Sequence, residues 1–265
     1  RPVPAGAAAA SLAALNRAIA TRQVAFVLAW LACRVLGQYD IAILSAEEAP
    51  GRLLFVEENV RQVARELDLP PADLRTWIAL HEATHAWEIE AHPWVRPWLR
   101  DRLERQLALL VGDLRTIGRG DLGEIRARLR ALPSDGFPAA VLSDEQRRLF
   151  GEVQRMMSLL EGFGDWLMDD VGASVLPDVE RMRARFEGRR DRPRRGIDRI
   201  VARLLGMDLK MEQYRKGERF IAGLASLGGD AALHRLWEGP ERLPDEDELA
   251  DPGRWIRHHV EEASR

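Results

Sequence analysis

Apolar residues recur every three or four positions along most of this chain, the spacing of helices that bury one stripe. The pattern predicts helices over 9–36, 57–67, 72–91, 96–111, 121–131, 143–171, 177–188, 196–206, 208–226, 230–237 and 252–263. Strand-like stretches are confined to "QYDIAIL" (38–44) and "GRLLFVEE" (51–58). Turn residues from Glu47 to Gly51 separate them, so a small antiparallel pairing is expected. Pro71 lies near the first turn of the 72–91 helix, where a missing N–H costs little. "GRGDLG" (118–123) and "LPSDGFP" (132–138) read as loops. The polar link "GRRDRPRRG" (188–196) is a candidate subdomain boundary in what otherwise reads as one domain over 1–265. The most apolar run, Val24 to Leu36, is interrupted by Arg34 and is too short to span a bilayer. It is expected to be a buried helix with Cys33 packed inside.

Composition narrows the class. With 265 residues, 46% hydrophobic and 31% charged, the chain is long and apolar enough to fold around a substantial core. A formal net charge of −3 exerts no overall pull on nucleic acid or acidic lipid. The arginines from Arg181 to Arg195 are interspersed with Glu187 and Asp191 and lack an aromatic platform, so they read as a solvated helix and loop. A single cysteine cannot form an internal disulfide, which suggests a reducing, cytoplasmic location. The Ala-rich start lacks both an initiator methionine and the pattern of a signal peptide, so the natural start is expected upstream.

The chemistry concentrates in "WIALHEATHAWEIEAH" (77–92). Four residues turn a helix by about 400°, so His81 and His85 share a face and can reach one metal ion. Glu82 lies about 100° round, beside the ligands, where a carboxylate can take a proton from a water molecule. A match of this kind arises by chance in roughly one chain in a hundred of this length, so a third ligand has to be found. A histidine six residues after the second is ruled out, because that position is Ala91 and Glu88 stands where a glycine turn is needed. A glutamate on a second helix remains. In "MMSLLEGFGDWLMDDVG" (156–172), Glu161 sits at the edge of an apolar stripe, where a carboxylate needs a partner. Asp165, one turn on, is placed to accept the second N–H of a ligand histidine. Gly162 and Gly164 are expected to admit the motif helix at close range.

The segments "GQYDIAIL", "GRLLFVEENV", "LHEATHAWEIEAHPWVRPWL", "MSLLEGFGDWLMDDVG" and "KMEQYRKGERFIAGL" together resemble zincin-like hydrolases associated with deazaflavin-coenzyme biosynthesis. The resemblance runs from about residue 24 to 260. It implies an α+β fold, mainly helical and zincin-like, with a small sheet next to the motif helix. It also implies a gluzincin-type site in which His81, His85 and Glu161 hold the metal and Glu82 is the catalytic glutamate. This chain has Phe163 where the family often has a histidine after the Glu-Gly pair. If that histidine assists metal or substrate, the site here is altered.

The combined reading is one Zn²⁺ per chain on His81, His85 and Glu161. Water at the metal would have its pKa lowered to about 7, and Glu82 would take its proton during attack on a peptide or small amide carbonyl. Tyr214, Arg215 or His234 is the candidate oxyanion donor, Tyr214 foremost. The rival reading is a zincin-shaped protein that binds metal, peptide or a partner without turnover. Of the remaining features, His258 and His259 point about 100° apart and read as surface histidines rather than a second chelate. Trp87, Trp94 and Trp98 could wall a substrate cleft or pack a corner.

Overall fold

The computed structural model describes residues 5–40, 43, 51–118, 143–190 and 207–261. The helices expected at 121–131 and 196–206, and most of the 188–196 link, lie outside the described residues. In chain order the elements are α1 (Ala5–Ala32), β1 (Gly37–Asp40), β2 (Arg52–Phe55), α2 (Glu57–Leu67), α3 (Pro71–Glu90) and α4 (Val95–Gly118). After these come α5 (Asp144–Val175), α6 (Val179–Arg190), α7 (Met207–Leu236), α8 (Glu246–Ala250) and α9 (Pro252–Ile256). A 3₁₀ turn covers Pro240–Arg242 and a π turn Arg257–Glu261. The protein is mainly helical with one small antiparallel sheet, an α+β arrangement.

Local chemistry sets the boundaries. Helix α3 starts where Pro70 is extended and Pro71 occupies the first turn, and it stops before Pro93, which cannot continue it. His92 Nδ1–H donates to the Glu88 carbonyl at 2.7 Å and satisfies part of the helix end. Helix α5 begins with a capping box: Ser143 Oγ accepts the Gln146 N–H, while Gln146 Oε1 accepts the Ser143 N–H. The two helices expected at 208–226 and 230–237 form one element broken at Gly229, whose φ of 60° is left-handed.

Strands β1 and β2 pair with Gly37 opposite Phe55 and Tyr39 opposite Leu53. Strand β2 is shorter than the sequence pattern suggests, while residues 41, 42 and 44 of the first stretch lie outside the described residues. In the second, the apolar run continues through Val56 but Glu57 already opens α2. Strand β1 lies against α3, with Gly37 next to Ile78 and Glu82.

Two apolar clusters form the interior. Met156, Leu159, Phe220, Ile221, Leu224 and Trp255 centre the larger one, where α5 crosses α7. Val60, Val63, Leu67, Leu74, Ile78 and Met182 form the other, between α2, α3 and α6. Helix α3 gives Ile89 to the first and Leu74 and Ile78 to the second, so the motif helix is held at both ends. At the α5–α7 crossing, a Cβ on Gly162 would lie 2.6 Å from the Glu218 nitrogen, and one on Gly217 would fall on the Ser158 carbonyl oxygen. Only glycine permits this approach.

One expectation about the core fails. Val24, Phe26, Leu28 and Leu31 lie exposed along α1, and Cys33 is exposed at its end. Trp30 alone of the run is buried, because α1 is tied in at its C-terminal end, where Asn59 Nδ2 donates to the carbonyls of Ala32 and Val35. Apolar content favours burial, but burial requires a facing surface. No helix among the described residues is long and apolar enough to cross a membrane.

Candidate metal centre

The helical spacing does what the sequence suggests. His81 and His85 stand one turn apart on α3 with their rings edge to face and Nε2 atoms 3.2 Å apart. Helix α5 brings Glu161 across, its Oε2 lying 3.6 Å from His81 Nε2. Among the described residues these three form the one cluster able to hold a metal ion, with one donor atom from each lying within 4.8 Å of the others. About four-fifths of each side chain is shielded from solvent.

The donor set suits zinc. Two nitrogens bound tetrahedrally at 2.0–2.1 Å lie about 3.3 Å apart, which is close to the spacing found. Two imidazole Nε2 atoms facing each other can share at most one proton, whereas one cation can accept both lone pairs. Two nitrogens and one carboxylate oxygen are also the ligand types that zinc takes in hydrolytic sites, with one position left over.

Close approach of α5 to α3 depends on Gly164. A Cβ there would come within 3.3 Å of His81 Cε1 and 3.6 Å of His85 Cε1. Gly164 therefore meets the expectation that a glycine admits the motif helix. Gly162 does not, since it faces α7.

Glu82 lies beside the cluster, and its Oε2 accepts the backbone N–H of Tyr39 at 2.9 Å. Strand β1 is thus what fixes the carboxylate. Tyr39 is itself anchored, since its hydroxyl donates to Glu90 at 2.5 Å and Glu90 also accepts from Arg96. Burial, then the Glu90 hydrogen bond and charge, push the Tyr39 phenol up to about 12.

The residue that sequence reasoning missed is Glu88. Its side chain is fully buried, and its Oε2 lies 2.8 Å from His85 Nδ1. Its other oxygen, Oε1, is buried without a hydrogen-bond partner. The i, i+3 spacing from His85 was the available signal. Burial disfavours the His85 imidazolium, but the hydrogen bond and charge of Glu88, with Glu161 and Glu82, outweigh it and hold His85 up at about 9. Burial likewise raises Glu88, to about 8, against the pull of His85. A 2.8 Å contact carries one proton between its two heavy atoms, so the pair titrates as a unit and the direction for both is upward.

The other candidates divide between the cleft at this cluster and a second pocket. Asp165 lines a cleft of about 240 Å³ together with His81, Glu82, Trp77, Arg183 and Phe186. Tyr214 lies in α7, but its side chain is outside the described residues. His234 and Trp87 line a separate, largely apolar pocket of about 320 Å³, with Phe163, Trp166 and Trp237. Trp94 Nε1–H donates to the Trp237 carbonyl, which packs that corner. Phe163 stacks on Trp87 with ring centroids 5.5 Å apart and is 5% exposed. Two residues beyond Glu161, it projects from the opposite side of α5.

His258 and His259 are not plain surface histidines. Both reach Oε1 of the buried Glu248, at 2.8 and 3.5 Å, and His259 stacks on Trp255. The π turn brings together side chains that regular helical spacing would separate.

Comparison with known proteins bears on the family. A crystal structure from Chloroflexus aurantiacus, described as "a putative hydrolase with a novel fold", is similar at 38% identity and a TM-score of 0.63. The match covers 89% of this chain and 67% of that one. No curated protein matches significantly. The family model of zincin-like metallopeptidases matches residues 2–256. With that match spanning nearly its whole length, the chain belongs to the zincin-like metallopeptidase family.

Proposed function

We propose that this protein is a zinc-dependent hydrolase of peptide or small amide bonds, with one Zn²⁺ held by His81, His85 and Glu161. The observation that carries the reading is the meeting of these three donors within 4.8 Å, with Glu82 alongside. When bound, zinc would supply Lewis acidity towards a carbonyl and towards water.

The chain's own residues divide the remaining work. Glu88 orients His85, holding Nδ1 as the protonated nitrogen so that Nε2 presents its lone pair to the centre. Tyr39 N–H binds Glu82 Oε2, which leaves Oε1 to receive the proton of the attacking water and pass it to the leaving amine. Trp77, Ile78 and Phe186 line the cleft and shield this transfer from bulk solvent. Tyr214 stays a candidate oxyanion donor, supported only by its place on α7 in the sequence order.

The resemblance to hydrolases associated with deazaflavin-coenzyme biosynthesis belongs to this proposal too. It rests on the quoted segments and specifies no substrate. Glu82→Gln tests the mechanism: the variant should keep its zinc and lose turnover on a peptide library. Activity retained in that variant would overturn the role given to Glu82.

A further inference from the structure

The second pocket has a lining that the proposed hydrolysis does not use. It measures about 320 Å³ and lies where α3, α5 and the end of α7 meet. Four aromatic side chains, Trp87, Phe163, Trp166 and Trp237, dominate its wall together with two leucines. Asp230 and His234 are its polar residues, and among the described residues no lysine or arginine lines it.

The rings do not form a single stack. Relative to Phe163, Trp87 is nearly parallel at 15°, Trp166 is tilted at 43° and Trp237 is almost perpendicular at 85°. Their centroids lie 5.5, 5.6 and 5.9 Å from that of Phe163. Planes set at such different angles make the sides of a concave box. Phe163 and Trp237 are buried, whereas Trp87 stays 44% exposed, so the box is open on the Trp87 side.

This lining sorts ligands by charge. An anion would meet aromatic faces, which carry partial negative charge, and the Asp230 carboxylate, with no basic side chain to hold it. A strongly hydrated cation such as ammonium would lose water without enough oxygen acceptors to replace it. A trimethylammonium group avoids that cost, because its charge is spread over methyl groups that bury like hydrocarbon. It also gains from indole faces, the strongest cation binders among aromatic rings. Asp230 is exposed and makes no hydrogen bond or ion pair among the described residues, so its charge is available to a ligand. A volume of about 320 Å³ takes such a head group with a short tail.

We infer that this pocket binds a small molecule ending in a trimethylammonium group, its methyls against Trp87, Trp166 and Trp237 and its charge facing Asp230. The site needs no metal and stands apart from the hydrolytic reading. Choline, its uncharged tert-butyl isostere and a trimethyl-lysine peptide are titrated into the full chain, with the ligand proton lines followed by NMR. The titrations are run at about pH 8, above the ordinary histidine range.

Choline should bind at least about tenfold more tightly than the isostere, which has the same shape without the charge. Trp166→Leu keeps the wall apolar but removes an indole face, and should cut this preference to below about threefold. Asp230→Asn changes only an exposed side chain, and serves even where the Trp166 variant does not fold. It should weaken choline binding by about threefold and leave the isostere unchanged. The peptide should bind no more tightly than choline, and a preference for the peptide would overturn the small-molecule assignment. Equal or tighter binding of the isostere, a preference unchanged in Asp230→Asn, or no saturable binding of choline would each overturn the inference.

Discussion

Replacing Glu88 by glutamine should move zinc affinity and apo-protein stability in different directions. The side chain is fully buried, with Oε2 on His85 Nδ1 and Oε1 unpartnered. Glutamine matches the shape and can still accept the Nδ1–H bond, so neither a cavity nor a lost contact follows. The negative charge is removed. Without it His85 is a poorer donor, and loss of such an orienting carboxylate typically costs 10–100-fold in metal affinity, about 1.4–2.7 kcal/mol. In the metal-free fold above about pH 9, where His85 is neutral and Glu88 ionised, glutamine relieves the burial of a carboxylate, a burden that often exceeds the value of its pairing. Exchanging an unpaired oxygen for an unpaired amide at the Oε1 position offsets part of this relief. The apo unfolding midpoint measured above about pH 9 should therefore stay unchanged or rise. Competition with a chromophoric chelator gives the zinc affinity, and thermal melts in excess chelator give the apo stability. Unchanged zinc affinity combined with a fall of more than about 2 kcal/mol in apo stability would refute the reasoning and make Glu88 a structural residue.

Other outcomes follow from the same structure. Because His85 and Glu88 both hold their protons more tightly in the folded state, at about 9 and about 8, the fold binds more protons than the unfolded chain across neutral pH. The pair's contribution to apo stability should be full below about pH 4.5 and be lost progressively as pH rises to about 9, as followed by urea melts. Zinc affinity should rise over that interval, because the metal displaces a proton; the two curves running in parallel would contradict the assignment. Gly162→Ala should destabilise the fold by about 1–2 kcal/mol: helix propensity improves by up to about 1 kcal/mol, but the new methyl meets α7 backbone, and overpacking costs about 1–3 kcal/mol. A variant as stable as the wild type in denaturant melts would show that α5 and α7 can part freely.

How much of this was legible in the sequence depended on the range of the interaction. Helix α3 and its histidine face follow from local spacing, and Glu161 could be found because a carboxylate on an apolar flank needs a partner. The exposure of α1 could not be read, since its apolar residues look the same whether or not another surface meets them. The Tyr39–Glu82 bond joins a strand backbone to a helix side chain 43 residues away, and no side-chain pattern encodes it. Gly162 illustrates the same limit. Its demand for close approach was visible, but whether α3 or α7 was the partner was not. Phe163 looked like a change at the site, yet its ring belongs to the aromatic packing on the far side of α5.

Elemental analysis of tag-free protein tests whether His81, His85 and Glu161 form a zinc centre. About one zinc per chain is expected, bound through the three ligands and lost in His85→Ala. Wild-type protein that remains metal-free after zinc is supplied, or a His85→Ala variant that keeps a full complement, would contradict it.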